Sequence, residues 1–432
     1  MVERKAATLD ELARELRSSD SHLLSFLNLL EARFKAREQE VKAFVQEPGR
    51  FDRLRHEAEA LAERFPDLEQ RPPLYGIPVG IKDVFHVQGF LTRAGSKLPA
   101  EELYGLEAES VATLKAAGAL ILGKTVSTEF AYFGPGPTQN PRAPGHTPGG
   151  SSSGSAAAVG AGLCPLALGT QTIGSVSRPA AFCGVAGYKP SYDRISRSGL
   201  IPLSPSLDHV GIFTASAASI ARVASTLCRG WKSRGVDRKP VLAVPVGPYL
   251  DRAGDSAREH FAACRQRLES AGYAVHEVPV MADLDDIEAR HGLVVAAEAA
   301  RVHATWFGRY VDRYHPKTAE LVQRGQGISA DDLNRALKDC HALRQELGQV
   351  MSEHEIDLWI SPAAPGGAPA GLDSTGDPVM NLPWSQSGLP TLTVPAGRDA
   401  QRLPLGFQLT GRWWSDETLL AWGVDIEEAL SR

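Results

Sequence analysis

The chain has 432 residues, 43% hydrophobic and 22% charged, with 46 Lys and Arg against 51 Asp and Glu for a formal net charge of −5. That charge argues against a nucleic-acid or anionic-membrane surface, and no apolar run approaches the roughly 20 residues a membrane span needs. The opening M-V-E-R-K-A-A-T-L-D-E-L lacks the apolar stretch of a secretion signal, and Cys164, Cys183, Cys228, Cys264 and Cys340 form no C-x-x-C pair, so a cytoplasmic protein without a disulfide framework is expected.

Residues 8–46 read as helix. Leu23, Leu24, Leu27, Leu30 and Phe34 recur at three- and four-residue spacing, and Asp20 and Ser21 are candidate caps where one helix gives way to the next. Pro48-Gly49 interrupts the pattern, which resumes over 51–64. Residues 1–68 are therefore expected to form a helical layer packed on residues 69–432, in one compact unit. From Tyr75 the segment G-I-P-V-G-I-K-D-V-F is a short apolar strand carrying Lys82. Such a lysine is either buried, and then paired or deprotonated, or sits on an edge and reaches solvent. Residues 107–117 read as helix and Ala119 to Leu122 as strand. Gly118 to Thr125 spells the phosphate-loop pattern G-x-x-x-x-G-K-T, but a phosphate loop follows a strand and opens a helix, and this segment does the reverse. Residues 132–149 hold five prolines and four glycines and can only be loop.

Between Gly149 and Gly187 the chain is dominated by Gly, Ser and Ala. Two hydroxyl-bearing loops, 149–155 and 169–178, flank a small-residue segment from Ala156 to Leu168. The apolar continuation V-G-A-G-L-C-P-L-A-L-G separates it from a flexible linker, and backbone N–H groups in such loops can converge on an anion. Gly150, Ser152 and Gly154 spell G-x-S-x-G, yet a Pro/Gly loop precedes them where a nucleophile elbow needs a strand. Further on, a helix is expected at 215–228, a strand at 239–246, a helix at 255–272, a strand at 273–280 and mostly helix over 284–350. Strands and loops follow through I-D-L-W-I-S-P-A-A-P, N-L-P-W-S-Q-S-G-L-P-T-L-T-V-P-A-G and L-P-L-G-F-Q-L-T-G, with a final helix from Asp416. This alternation favours an α/β sheet covered by helices on both faces.

Four blocks together resemble the amidase signature family, from about residue 70 to the end. They are G-I-P-V-G-I-K-D (76–83), T-P-G-G-S-S-S-G-S-A-A-A-V (147–159), G-T-Q-T-I-G-S-V-S-R-P-A (169–180), and the C-terminal N-L-P-W, G-L-P, V-P-A-G and P-L-G-F-Q-L run. The resemblance implies a large mixed β-sheet between helices and a Ser–Ser–Lys triad. Ser175 would be the nucleophile, Ser151 the relay serine on a cis peptide bond, and Lys82 the base. The backbone N–H groups of Thr172, Ile173, Gly174 and Ser175 would form the oxyanion hole. Substrate-lining positions would be Glu129, Phe130, Ala131, Tyr132, Phe133, Gly149, Gly150 and Trp384, although the aromatic ones read equally as core. The implied activity is hydrolysis of a carboxamide through an acyl-serine intermediate, on a small-molecule amide, with no metal or cofactor and with a homodimer as the expected assembly. The alternatives are an amidotransferase subunit delivering ammonia to a partner, and an acyl transferase that forms amides.

The family's nucleophile block reads G-T-D-[ST]-G-G-S-I-R. Here the acid is Gln171, one glycine is Ile173, and Ser177 holds the arginine position, with Arg178 one place later. Loss of both partners of an ion pair can be nearly neutral, whereas loss of one strands a charge, so a repacked loop with intact catalysis is expected. Ile173 would narrow the acyl pocket.

Overall fold

The computed structural model describes residues 8–431. Ten strands among them make one sheet: β1 (Pro78–Lys82), β2 (Leu120–Thr125), β3 (Leu166–Gln171), β4 (Ala186–Lys189), β5 (His209–Thr214), β6 (Leu242–Val246), β7 (Val275–Pro279), β8 (Leu358–Pro362), β9 (Thr391–Arg398) and β10 (Pro404–Thr410). Their spatial order is β2-β1-β3-β5-β4-β9-β10-β8-β6-β7. Pairing is parallel in β2-β1-β3 and β8-β6-β7, and antiparallel through the centre. The sheet is therefore mixed, as the resemblance implied. Every residue of β1, β2 and β3 is buried, which requires cover on both faces. The edge strand β7 instead exposes His276 and Glu277, a charged edge that discourages pairing with other chains.

The first helices are Leu9–Ser18, Asp20–Val41 and Arg50–Arg64. Thr8 and Glu11 close a capping box on the first. The second is capped by Ser19, one residue before the expected pair, because its side chain accepts the N–H of Ser21. Asp20 has another use: its carboxylate takes Arg71 and the Tyr75 hydroxyl. Leu23, Leu27 and Leu30 join the same apolar cluster as Val79 and Ile81, while Leu24 stays at the rim.

The stretch read as mostly helical resolves into Leu284–Val302, Ala304–Tyr310, Pro316–Gln326 and Ala330–Glu353. The first and third cross at Gly325, where an added Cβ would stand 1.8 Å from the Ala296 carbonyl oxygen. A Gly→Ala change inside a helix ordinarily stabilises it by about 1 kcal/mol. Here the sign should reverse, and Gly325→Ala should destabilise by about 1–3 kcal/mol through overpacking. Urea unfolding checks this as a lower midpoint at unchanged slope.

What positions the site is the parallel pairing of β1 with β3, in which Ile81 lies opposite Leu168. The two strands end at the same edge of the sheet, where open α/β sheets place their ligands. Lys82 is the last residue of β1, and the first three residues of the stretch read as the second hydroxyl loop, 169–171, instead end β3, so the loop begins after Gln171. The first hydroxyl loop lies against β3 because residue 169 is glycine: a Cβ there would meet Ser152 Oγ at 2.6 Å. No helix among the described residues is long and apolar enough to cross a membrane.

Candidate active site

Lys82 is completely buried, which resolves the two readings its strand allowed. Its Nζ donates to Ser151 Oγ at 2.6 Å and to Thr170 Oγ1 at 2.7 Å. Both partners are neutral hydroxyls. Burial therefore holds the Lys82 pKa well below 10.5, against a smaller opposing pull from the Asp208 carboxylate. The other lysine here makes the contrast. Lys124 is the lysine of the false phosphate loop and lies in β2, buried, with Asp83 Oδ1 at 2.7 Å and Thr92 Oγ1 at 3.1 Å. Burial lowers its pKa too, but Asp83 pulls it back up. Of the two, Lys82 is the one without a carboxylate in contact.

The Gly150–Ser151 peptide bond is cis. The Ser151 carbonyl accepts the N–H of Thr128 at 3.1 Å, and the Gly150 carbonyl accepts Arg178 Nη2 at 2.7 Å. Ser152 is tied to β3, its hydroxyl donating to the Thr170 carbonyl at 3.0 Å and accepting the Thr170 N–H at 3.2 Å. The false nucleophile elbow is thereby occupied in structure. Gly149 lies on Pro179, which leaves 2.8 Å between that proline's Cα and any added Cβ.

Ser175 sits in the turn between β3 and the helix Ser177–Cys183, 6% exposed. Among the described residues the backbone N–H groups of all four expected donors, Thr172, Ile173, Gly174 and Ser175, enter no hydrogen bond. Unpaired backbone N–H groups are rare in a folded interior, and four in succession leave donors free for an anion. The turn is held from several sides. Gln171 Oε1 accepts the N–H of Val176 at 2.7 Å and of Ser177 at 2.9 Å. Thr172 Oγ1 donates to Asp208 Oδ1 at 2.5 Å. The buried Asp208 also accepts the N–H groups of Leu203 and Ser204, yet burial still pushes its pKa up to about 6. Asn381 and Pro378 back Gly174 so closely that a Cβ there would meet Asn381 Oδ1 at 2.4 Å.

The departures from the family block take definite form here. Gln171 satisfies two backbone donors without a charge. Arg178 is buried and bonded by Nη1 to the Gly376 carbonyl at 2.9 Å, and by Nη2 to the Gly150 carbonyl and to Thr375 Oγ1 at 3.1 Å. Desolvation lowers its pKa to about 10. The arginine thus ties the Gly150–Ser151 loop to residues 375–376. Ile173 is half-buried against a cluster containing Val379, Met380 and Trp384.

The residues expected to line substrate divide. Trp384 is buried, donates Nε1 to Tyr249 Oη at 2.8 Å and packs on Trp359. Phe130 lies among His303, Trp306 and Tyr314. The Glu129 carboxylate accepts the backbone N–H of His315, at the start of the helix Pro316–Gln326, and Ala131 sits beside it, buried, at φ 61°. Tyr132 and Phe133 line an open pocket of about 250 Å³ with Lys317, Glu320, Leu321 and Arg324. Sequence reading missed Thr170, Asp208 and Ser385. Thr170 lies inside the G-T-Q-T-I-G-S-V-S-R-P-A block. Asp208 and Ser385 had no signal, because they reach the turn only through the β3–β5 register, which pairs Gln171 with His209, and through the helix Leu382–Gln386.

The family model Amidase matches residues 26–420. A glutamyl-tRNA(Gln) amidotransferase subunit from Synechococcus sp. (strain WH7803) is 31% identical, over 96% of this chain and 94% of that protein. The corresponding subunit from Thermus thermophilus is 34% identical over 88% and 89%. A crystal structure of an amidase is 32% identical and superimposes with a TM-score of 0.88 over 98% of this chain and 99% of that one. The chain belongs to the amidase family and is an enzyme that acts on amides.

Proposed function

We propose that the chain hydrolyses a small-molecule carboxamide through an acyl-serine intermediate, with Ser175 as nucleophile, Ser151 as proton relay and Lys82 as base. The observation that carries this reading is the 2.6 Å hydrogen bond between a fully buried Lys82 and Ser151, with no carboxylate in contact to hold the ammonium. A serine hydroxyl becomes a competent nucleophile only as a base removes its proton, and a lysine serves as that base only when neutral.

In the forward step Ser175 Oγ bonds to the amide carbon, while its proton passes to Ser151 Oγ and that of Ser151 to Lys82 Nζ. The carbonyl oxygen, now negative, accepts the N–H groups of the 172–175 turn. Collapse breaks the C–N bond, and the proton returns from Lys82 through Ser151 to the leaving amine. Water then repeats the sequence on the ester, releasing the acid and regenerating Ser175. Ile173 favours a small or flat acyl group, and long-chain amides turned over as fast as short ones would sink that part. Gly149, Gly150, Tyr132 and Phe133 are the proposed substrate contacts, since Phe130 and Trp384 are taken up by packing.

Intact-mass analysis tests the reading. Rapid quenching from a panel of amides should leave one acyl group on the peptide bearing Ser175, and no adduct under any condition of turnover would overturn it. A second reading, in which the released ammonia passes to a partner enzyme, draws on the likeness to amidotransferase subunits. It differs in the acceptor, and it requires glutamine as substrate and a co-purifying partner.

A further inference from the structure

We infer that Ser385 and Gln171 are positioning residues that aim the Gly174 oxyanion donor, and that the amide of Gln171 is required for this because it is an amide. The inference rests on the hydrolase reading above, whose oxyanion hole it explains.

The direction of each hydrogen bond follows from what its partners can do. Gln171 Oε1 faces two backbone N–H groups, those of Val176 and Ser177. Both can only donate, so the oxygen is fixed there and Nε2 must face Ser385 Oγ, 3.0 Å away. Nε2 can only donate in turn. The Ser385 oxygen is therefore used as an acceptor, and its own proton goes to the remaining neighbour, the Ile173 carbonyl at 2.6 Å. The direction of each of these four hydrogen bonds is thereby fixed, and Gln171 and Ser385 are buried at 0% and 1% exposure.

The Ile173 carbonyl shares a planar peptide group with the Gly174 N–H. In a trans peptide the two point in opposite directions, and the cis bond in this region is at Gly150–Ser151. Anchoring the carbonyl on Ser385 turns the Gly174 N–H the other way. That N–H is one of the four without a protein acceptor. Without the anchor, nothing else bonded to the Ile173 carbonyl fixes the tilt of this peptide, and Gly174 on its far side permits a wide range of φ and ψ. A carboxylate at position 171 would accept the same two backbone N–H groups but would also draw the Ser385 proton to itself, releasing the Ile173 carbonyl. The family's acid at this place comes with an arginine at the Ser177 position, and this chain has neither.

Steady-state kinetics on Ser385→Ala and on the isosteric Gln171→Glu provide the test. Full loss of one oxyanion donor costs about 10²–10³-fold in kcat, and a misdirected one should cost less. The expected result is therefore a fall in kcat of about 10- to 100-fold for each variant, with KM within twofold. Ser385→Thr, which keeps the hydroxyl, should recover most of the rate. Adding Gln171→Glu to Ser385→Ala should cause little further loss, since the first change has already freed the carbonyl. A kcat within twofold of wild type in Ser385→Ala, or losses that simply multiply in the double variant, would overturn the inference. Should Ser385→Ala fail to fold, Gln171→Glu decides alone, and a kcat within twofold counts against the inference. The acyl adduct on Ser175 should still form in the single variants, only more slowly. Its absence from the wild type would strike the hydrolase reading instead.

Discussion

Ser175→Ala is expected to lower kcat on the order of 10⁶-fold while leaving the fold and KM almost unchanged. The size follows from the proposed chemistry: without Oγ no acyl-enzyme can form, and the base and relay lose the group they act on, as when the serine of a hydrolytic triad is removed. What survives is the free turn at Ile173–Ser175, which can still polarise a bound carbonyl and support slow attack by water. The variant should therefore stay above the uncatalysed rate and still bind substrate. A Ser151→Ala change in the Ser175→Ala background should add almost nothing, because residues acting as a unit are not additive. Retention of even a hundredth of the wild-type kcat by Ser175→Ala would place the nucleophile elsewhere.

Lys82→Met is expected to lower kcat by about 10³–10⁴-fold, the usual scale for loss of general-base catalysis in the upper part of its range, and to raise the thermal midpoint at pH 7. The two effects share one cause. Burial holds the folded-state pKa of Lys82 well below 10.5, whereas in the unfolded chain the amine keeps its ordinary value. Between those two values the unfolded chain binds the extra proton, so stability rises with pH through that window and the buried amine costs stability below it. Methionine fills the space without that penalty, although it leaves Ser151 Oγ and Thr170 Oγ1 without their shared partner. In the wild type, kcat/KM should climb tenfold per pH unit on an acid limb whose midpoint lies well below 10.5, and then level off. A limb centred near 10.5 would mean that another group is the base. The Lys124–Asp83 pair is the internal control: conversion of Lys124 to Met strands a buried carboxylate and should destabilise the protein.

The sheet and the residues proposed for catalysis stood out for specific reasons. Helical spacing from Leu23 to Leu30, the apolar runs of β1 and β3, and the Pro/Gly loop at 132–149 each carry their conformation in local chemistry. The false phosphate loop and the false nucleophile elbow were set aside on the order of neighbouring elements, and β2 and the bonded Ser152 bear that out. The short helix Leu382–Gln386 was missed because L-P-W-S-Q is only five residues long and has a weak helical pattern. Pro383 near its start fits a first turn and a loop equally well. The breaks at residues 303, 311–315 and 327–329 were likewise invisible inside a stretch of continuous helical character.

By itself the sequence singled out candidates for the chemistry: two serines and one lysine in family blocks, beside a turn rich in small residues. Only the tertiary structure decided what state they are in. Burial of Lys82 depends on β2 and β3 closing over both sides of β1, and its low proton affinity depends on having hydroxyls in place of carboxylates for neighbours. Phe130 and Trp384 read equally as pocket and core until their rings met Tyr314 and Trp359. Gln171 read as the loss of an acid, and became an acceptor for two backbone donors once Ser385, 214 residues away, stood against it. The division has one physical cause. Residue type and spacing are local properties, whereas desolvation and hydrogen-bond direction belong to groups that only the closed sheet brings together.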